Sequence, residues 1–228
     1  MRRLVAPLLA GAAALAVLTA RFSALHWGAT TEESREPLPG DELIPAPGLV
    51  ATRAITIEAL PEEVWPWVAQ IGADRGGFYS YDRLENLAGC QLRSADAVVP
   101  EWQHLAPGDL VRLHPQVALT VVSVEPEHSL VLRAAPPPGR HRARADSPPD
   151  GIRPGTGEPH APYDFTWAFV LHRHPHAATR LITRERFGYT HWWSPLLVEP
   201  LSVASSVMSQ KMLRGIRDRA ERQASAGA

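Results

Sequence analysis

Thr52-Arg53-Ala54-Ile55-Thr56-Ile57, followed closely by Pro61-Glu62-Glu63-Val64-Trp65-Pro66-Trp67, is the stretch on which the fold turns. Leu49, Ala51, Arg53, Ile55 and Ile57 alternate with Val50, Thr52, Ala54, Thr56 and Glu58, which predicts a half-buried strand. Pro61 suits a first helical turn, because the N–H it lacks would have no partner there. Glu62 and Glu63 favour the same end through the helix dipole. Val64, Trp65, Val68 and Ile71 form an apolar stripe, and Gly72 can stop the helix. A short strand leading straight into an aromatic-rich helix suggests a sheet wrapped round a helix, with a pocket between them.

Downstream, Gly76-Gly77-Phe78-Tyr79-Ser80-Tyr81-Asp82 reads as a glycine-opened loop. Residues 81–88 read as a second short helix that sets Asp82 and Glu85 on one face. Three strands are predicted over 108–114, 117–125 and 128–134, with Gly108-Asp109, His114-Pro115-Gln116 and Glu125-Pro126-Glu127 as turns. Residues 135–161 are rich in proline and glycine and poor in large apolar side chains, the composition of a mobile or disordered insertion. Tyr163, Phe165, Trp167, Phe169 and Leu171 then occupy every second position, the clearest strand in the chain. A turn at 173–177 leads to a further strand over 179–187, and a loop at 188–196 carries His191, Trp192 and Trp193. A long helix from about 197 to 223 closes the chain, with Val203, Val207, Leu213 and Ile216 among its apolar positions. This order predicts an α+β fold: an antiparallel sheet with the long last helix on its concave face.

Upstream, Arg2 and Arg3 precede an uncharged run from Leu4 to Ala20 that ends at Arg21, within the roughly 17–25 residues of a membrane span. Residues 1–21 are therefore expected as an N-terminal transmembrane helix, with a cleaved signal peptide and a secreted product as the alternative. The leading arginines favour a cytoplasmic N-terminus and a single-pass protein with its globular part outside the cytoplasm. Gly28, Pro37, Pro39, Gly40, Pro45, Pro47 and Gly48 make residues 22–48 read as a tether. Residues 49–224 remain as one domain, large enough to bury a core without disulfides.

The formal net charge of −1 gives no overall field that would favour nucleic acid. Cys90 is the single cysteine, which excludes an intrachain disulfide and a cysteine metal cluster. There is no Gly-x-Ser-x-Gly elbow, phosphate-binding glycine loop or dinucleotide fingerprint, and no cofactor is expected. No metal is expected either: His172, His174 and His176 alternate, but Pro175 breaks the strand and no carboxylate is spaced with them.

Several words taken together, Trp27-Gly28-Ala29-Thr30, Leu38-Pro39-Gly40-Asp41-Glu42, Thr52-Arg53-Ala54-Ile55-Thr56-Ile57, Val64-Trp65-Pro66-Trp67, Gly77-Phe78-Tyr79-Ser80-Tyr81-Asp82, Val99-Pro100-Glu101-Trp102-Gln103 and Thr166-Trp167-Ala168-Phe169, resemble the START/polyketide-cyclase-like superfamily known as SRPBCC. The likeness is to a bacterial branch with a hydrophobic N-terminus and covers residues 27–222, from which the 135–161 insertion departs. It implies the helix-grip fold, an apolar cavity between sheet and terminal helix, and a hydrophobic small molecule or lipid as partner. A minority of the superfamily are cyclases or other enzymes, so the fold does not give the activity. On this resemblance the expected ligand-binding residues are Trp65, Phe78, Tyr79, Tyr81, Trp102, Phe165, Trp167, Phe169, Met208 and Met212.

No catalytic residue is assigned, but Tyr79, Tyr81, Asp82 and Glu101 are candidates. Asp82 would orient a phenol towards a ligand carbonyl, or else cap the helix it precedes. Glu101 would be a general acid or base if desolvated, or else pair with Arg53, Arg112 or Arg184. Arg180, Arg184 and Arg186 share a strand face, where they would either meet a ligand carboxylate or phosphate or stand in water. Binding without chemistry, a cyclase- or dehydratase-like enzyme, and a partner-binding module at the membrane are the three functions compatible with these residues.

Overall fold

The computed structural model describes residues 11, 15, 16, 18–82, 86, 89, 92–134 and 162–227. Six strands, β1 (Leu49–Ile57), β2 (Leu110–His114), β3 (Val117–Glu125), β4 (Ser129–Ala134), β5 (Tyr163–His174) and β6 (Ala178–Tyr189), form one sheet in the order β1-β6-β5-β4-β3-β2. Every neighbouring pair is antiparallel. The chain meanders from β2 to β6, and β1 joins the far side by pairing with β6, Arg53 opposite Thr183. The first helix of the domain spans Pro61–Ala69, its opening turn fastened by the Glu63 carboxylate, which accepts the Leu60 N–H at 2.8 Å. The terminal helix spans Ser194–Gly227 and packs on that helix, on β1 and on β6. A six-stranded antiparallel sheet holding one long C-terminal helix fits the helix grip.

The two sheet faces separate as a period of two requires. Ile55, Ile57, Leu119, Trp167, Phe169, Leu171 and Leu181 join Met212, Leu213 and Ile216 of the terminal helix in the main core. Burying each large aliphatic side chain there contributes about 1.5–3 kcal/mol. Ala54, Val170 and Ile182 look the other way and meet Leu38.

That second face is covered by the residues expected as a tether. Within 22–48, Leu38, Gly40 and Ile44 are buried. The Trp27 carbonyl accepts the Ala54 N–H at 3.1 Å. Proline and glycine keep residues 26–48 from any long helix or strand, leaving only the helical turn Asp41–Leu43, yet they do not forbid packing. The outward arginines of β6 hold the strap: Arg180 pairs with Glu33 at 2.7 Å, Arg184 with Asp41 at 2.6 Å, and Arg186 with Asp41 at 3.1 Å. Arg184 also donates to the Glu33 and Glu36 carbonyls, and Arg186 to that of Ile44. These arginines therefore neither line a cavity nor stand free in water, which corrects both sequence-based alternatives.

The clasp carries a pH dependence. Its hydrogen bonds from Arg180 hold the Glu33 carboxyl below its ordinary value of 4.5, against the opposing effect of burial. A lowered folded pKa gives stabilisation that is complete above 4.5 and is lost as pH falls through the folded value. Acidification below 4.5 should therefore speed exchange of the Ala54 amide beyond its intrinsic rate. Glu33→Gln should flatten that dependence, and site-resolved hydrogen exchange measures both.

Most of the expected membrane run Leu4–Ala20 lies outside the described residues, while residues 11, 15, 16 and 18–25 are helical. Among the described residues, no helix is long and apolar enough to cross a membrane. All of the 135–161 insertion, Cys90, and Glu85 with most of the expected 81–88 helix also lie outside the described residues.

Candidate functional site

A cavity of about 330 Å³ lies between the sheet and the terminal helix. Leu119 of β3, Phe165 and Trp167 of β5, and Phe187 of β6 form the sheet wall. Leu201, Ala204, Met208 and Met212 form the helix wall, and Phe78 enters from the glycine-opened loop. Alternation in β5 aims Phe165 and Trp167 inward together, and helical spacing stacks Leu201, Ala204 and Met208 along one flank. The size falls at the lower end of the range for small-molecule sites, which run to roughly 300–1,000 Å³.

Ser80, Tyr163 and a charged station on β6 interrupt the apolar lining. Glu185, on the inward face of β6 and 2% exposed, accepts from Arg53 Nη1 at 2.9 Å. Two serines of the terminal helix add hydroxyl donors: Ser209 at 2.9 Å to Oε1, and Ser205 at 2.8 Å to each carboxylate oxygen. Arg53 is fully buried and also donates Nε to the Ala24 carbonyl at 3.1 Å. Its Nη2 has no hydrogen-bond partner among the described residues. Glu185, Ser205 and Ser209 all line the cavity. The arrangement can hold a hydroxyl or amide N–H at one end of an apolar body.

Five of the ten expected ligand-binding residues, Phe78, Phe165, Trp167, Met208 and Met212, line this cavity. The other five do not. Trp65 of the first helix is buried in the core, and Phe169 is fully buried against Trp167, ring centroids 4.6 Å apart. Trp102 is half-buried in the turn Pro100–Trp102, and Tyr81 is exposed.

Tyr79 is buried in a left-handed backbone conformation, φ 57°. Its hydroxyl donates to the Trp67 carbonyl at 3.1 Å, and burial pushes the phenol well above its ordinary pKa. Asp82 accepts the Ser94 N–H at 2.8 Å and the Ser94 hydroxyl at 2.6 Å, so it ties two loops together and orients no phenol. Glu101 is exposed. The arginines expected beside it are engaged elsewhere: Arg53 by Glu185, Arg112 by Asp74 and Arg184 by Asp41. None of the four catalytic candidates lines the cavity. His172, His174 and His176 are exposed, and no group of side chains able to hold a metal ion occurs among the described residues.

Sequence reasoning missed the Glu185 station. Its signal was present: Arg53 stands on the apolar face of β1 and Glu185 on the Leu181–Phe187 face of β6, opposite charges on inward positions of paired strands.

No protein-family profile matches this chain. No curated protein matches it either. Solved structures do. The hypothetical protein jhp0584 of Helicobacter pylori is similar over 84% of this chain and 99% of its own, at 12% identity and a TM-score of 0.47. Protein Ms6760 of Mycobacterium smegmatis is similar over 75% and 89%, at 14% identity and a TM-score of 0.40. Protein MLL2253 of Mesorhizobium loti is similar over 74% and 96%, at 13% identity and a TM-score of 0.39. Likeness at this level leaves the fold to be decided by strand order, register and helix placement.

Proposed function

We propose that this chain is a membrane-tethered SRPBCC-like protein that binds a hydrophobic small molecule or lipid in the cavity between sheet and terminal helix, without transforming it. The observation that carries the reading is the cavity itself, about 330 Å³ with aromatic, leucine and methionine walls. Burial of apolar surface, at about 25 cal/mol per Å², would supply most of the affinity. The flexible thioethers of Met208 and Met212 suit an adaptable fit. Glu185, held by Arg53 and two serines, adds a charged acceptor for a ligand hydroxyl or amide N–H. The uncharged run from Leu4 to Ala20 supports the tether, and the arginines before it support a domain outside the cytoplasm.

The cyclase-like alternative requires two acid–base groups to converge on one substrate atom. Tyr79, Tyr81, Asp82 and Glu101 stand away from the cavity, so the geometry does not favour that route through them.

The test is uptake of a fluorescent long-chain alcohol by the full chain in detergent, together with mass analysis of co-purifying lipid. Ala204 sits on the cavity wall and is exposed at the rim. Ala204→Trp should fill the entrance and weaken uptake by about tenfold or more, the equivalent of about 1.4 kcal/mol, with thermal unfolding unchanged. No uptake by the unaltered chain and no bound lipid would overturn the reading.

A further inference from the structure

The first half of the terminal helix is unlike the rest of the surface. Between Ser194 and Gln210 it carries a single charge, Glu199, and that charge is neutralised by Arg21. The apolar side chains here do not all turn inward. Trp192 is 89% exposed and Leu196 76%, while Leu197, Leu201, Val203 and Val207 are exposed as well. A soluble domain rarely leaves so continuous an apolar surface open unless something covers it.

The N-terminal helical residues run into this surface. Besides the Arg21–Glu199 pair, Ser206 donates its hydroxyl to the Ala24 carbonyl at 3.0 Å, and Leu25 packs on the cluster that contains Val198. Leu18 and Phe22, on the same stretch, are also exposed. The uncharged run that begins at Leu4 therefore ends against the exposed half of the terminal helix. The Arg21–Glu199 pair sets the end of that run within one helical turn of Leu196, and Trp192 precedes it by four residues. Tryptophan at a membrane boundary and leucine just beneath it are the side chains such a depth favours.

From these observations we infer that the helical face bearing Leu196 and Val203, with Trp192 before it, lies in the outer part of a lipid bilayer and opens the cavity towards the acyl chains. Leu201 and Ala204 line the cavity and are exposed, so its mouth adjoins this face. A hydrophobic ligand can then pass between bilayer and cavity without crossing water. The inference rests on the membrane half of the proposed function and adds the orientation of the site.

The experiment uses the full chain with Cys90→Ser, reconstituted into phosphatidylcholine vesicles. One environment-sensitive fluorophore is attached through Leu196→Cys or, as control, His172→Cys in the exposed stretch at the end of β5. With doxyl groups on the lipid acyl chains, the label at 196 should be blue-shifted and quenched about twofold or more, as for a group roughly 5–10 Å below the headgroups. The label at 172 should be neither. Vesicle-bound protein whose 196 label behaves like the 172 label would overturn the inference and leave the anchor standing. A blue-shifted but unquenched label would also overturn it, since a second copy or the chain's own leader would then cover the face. Failure to float with vesicles would overturn both the inference and the anchor, whereas ligand uptake in detergent would still stand.

Discussion

Arg53→Met should destabilise the domain by about 3–5 kcal/mol, because it removes the cation from a buried pair and leaves Glu185 charged in an apolar interior. The side chains of Arg53 and Glu185 are 0% and 3% exposed, so neither charge can recover its hydration without the structure opening. Ser205 and Ser209 would still donate to the carboxylate, but two neutral hydroxyls do not replace a guanidinium. Glu185→Leu should cost a similar amount for the mirrored reason, as Arg53 would keep only its bond to the Ala24 carbonyl. The double variant should recover most of the loss, since two apolar side chains of similar volume need no charge compensation. Urea melts of the four chains close the cycle. Additive losses would show that the two charges do not depend on each other. The double variant also separates stability from binding: folded, yet without the Glu185 carboxylate in the cavity, it should hold an apolar probe and show a weaker preference for one that carries a hydroxyl.

That pair also marks where the sequence stopped being legible. The strands were readable because each has one apolar face against the core, so Tyr163, Phe165, Trp167, Phe169 and Leu171 announce β5 by alternation alone. Helix starts were readable from Pro61 and its following glutamates. The cavity walls were half readable. Alternation shows that Phe165, Trp167 and Phe169 share a face, but not that Phe169 packs beneath Trp167 while the other two reach the empty space. Partners far apart in the chain were not readable. Arg53 lies 132 positions from Glu185, so alternation puts each on an inward face but does not say that the two meet. The strap over the outer face failed differently. Its prolines and glycines report only that long helices and strands are absent, while its packing comes from Leu38, Ile44 and the carboxylates that meet β6. Tyr79 was misplaced because a loop tyrosine next to glycines reads as accessible, whereas here it is a core residue with its hydroxyl consumed by the Trp67 carbonyl.

Gly215→Ala should be destabilising by about 2 kcal/mol, opposite in sign to what helix propensity alone predicts. Position 215 lies inside the terminal helix, where alanine is ordinarily better than glycine by about 1 kcal/mol. At this position a methyl group has no room: an added Cβ would overlap the Tyr79 carbonyl oxygen and lie 2.7 Å from the Tyr79 Cβ. Neither neighbour can give way cheaply. Tyr79 is fixed at φ 57°, its N–H is taken by the Ser94 hydroxyl at 2.9 Å, its ring stands edge-on to Trp67, and Arg219 lies over its face at 4.9 Å. The helix would have to move off the loop, and overpacking of that kind costs about 1–3 kcal/mol or more. Because Phe78, which lines the cavity, directly precedes Tyr79, the shift should also reach the binding site. Thermal unfolding and probe uptake measured on the same variant should therefore fall together. A variant as stable as the unaltered chain would mean that the loop and the helix do not make this close approach.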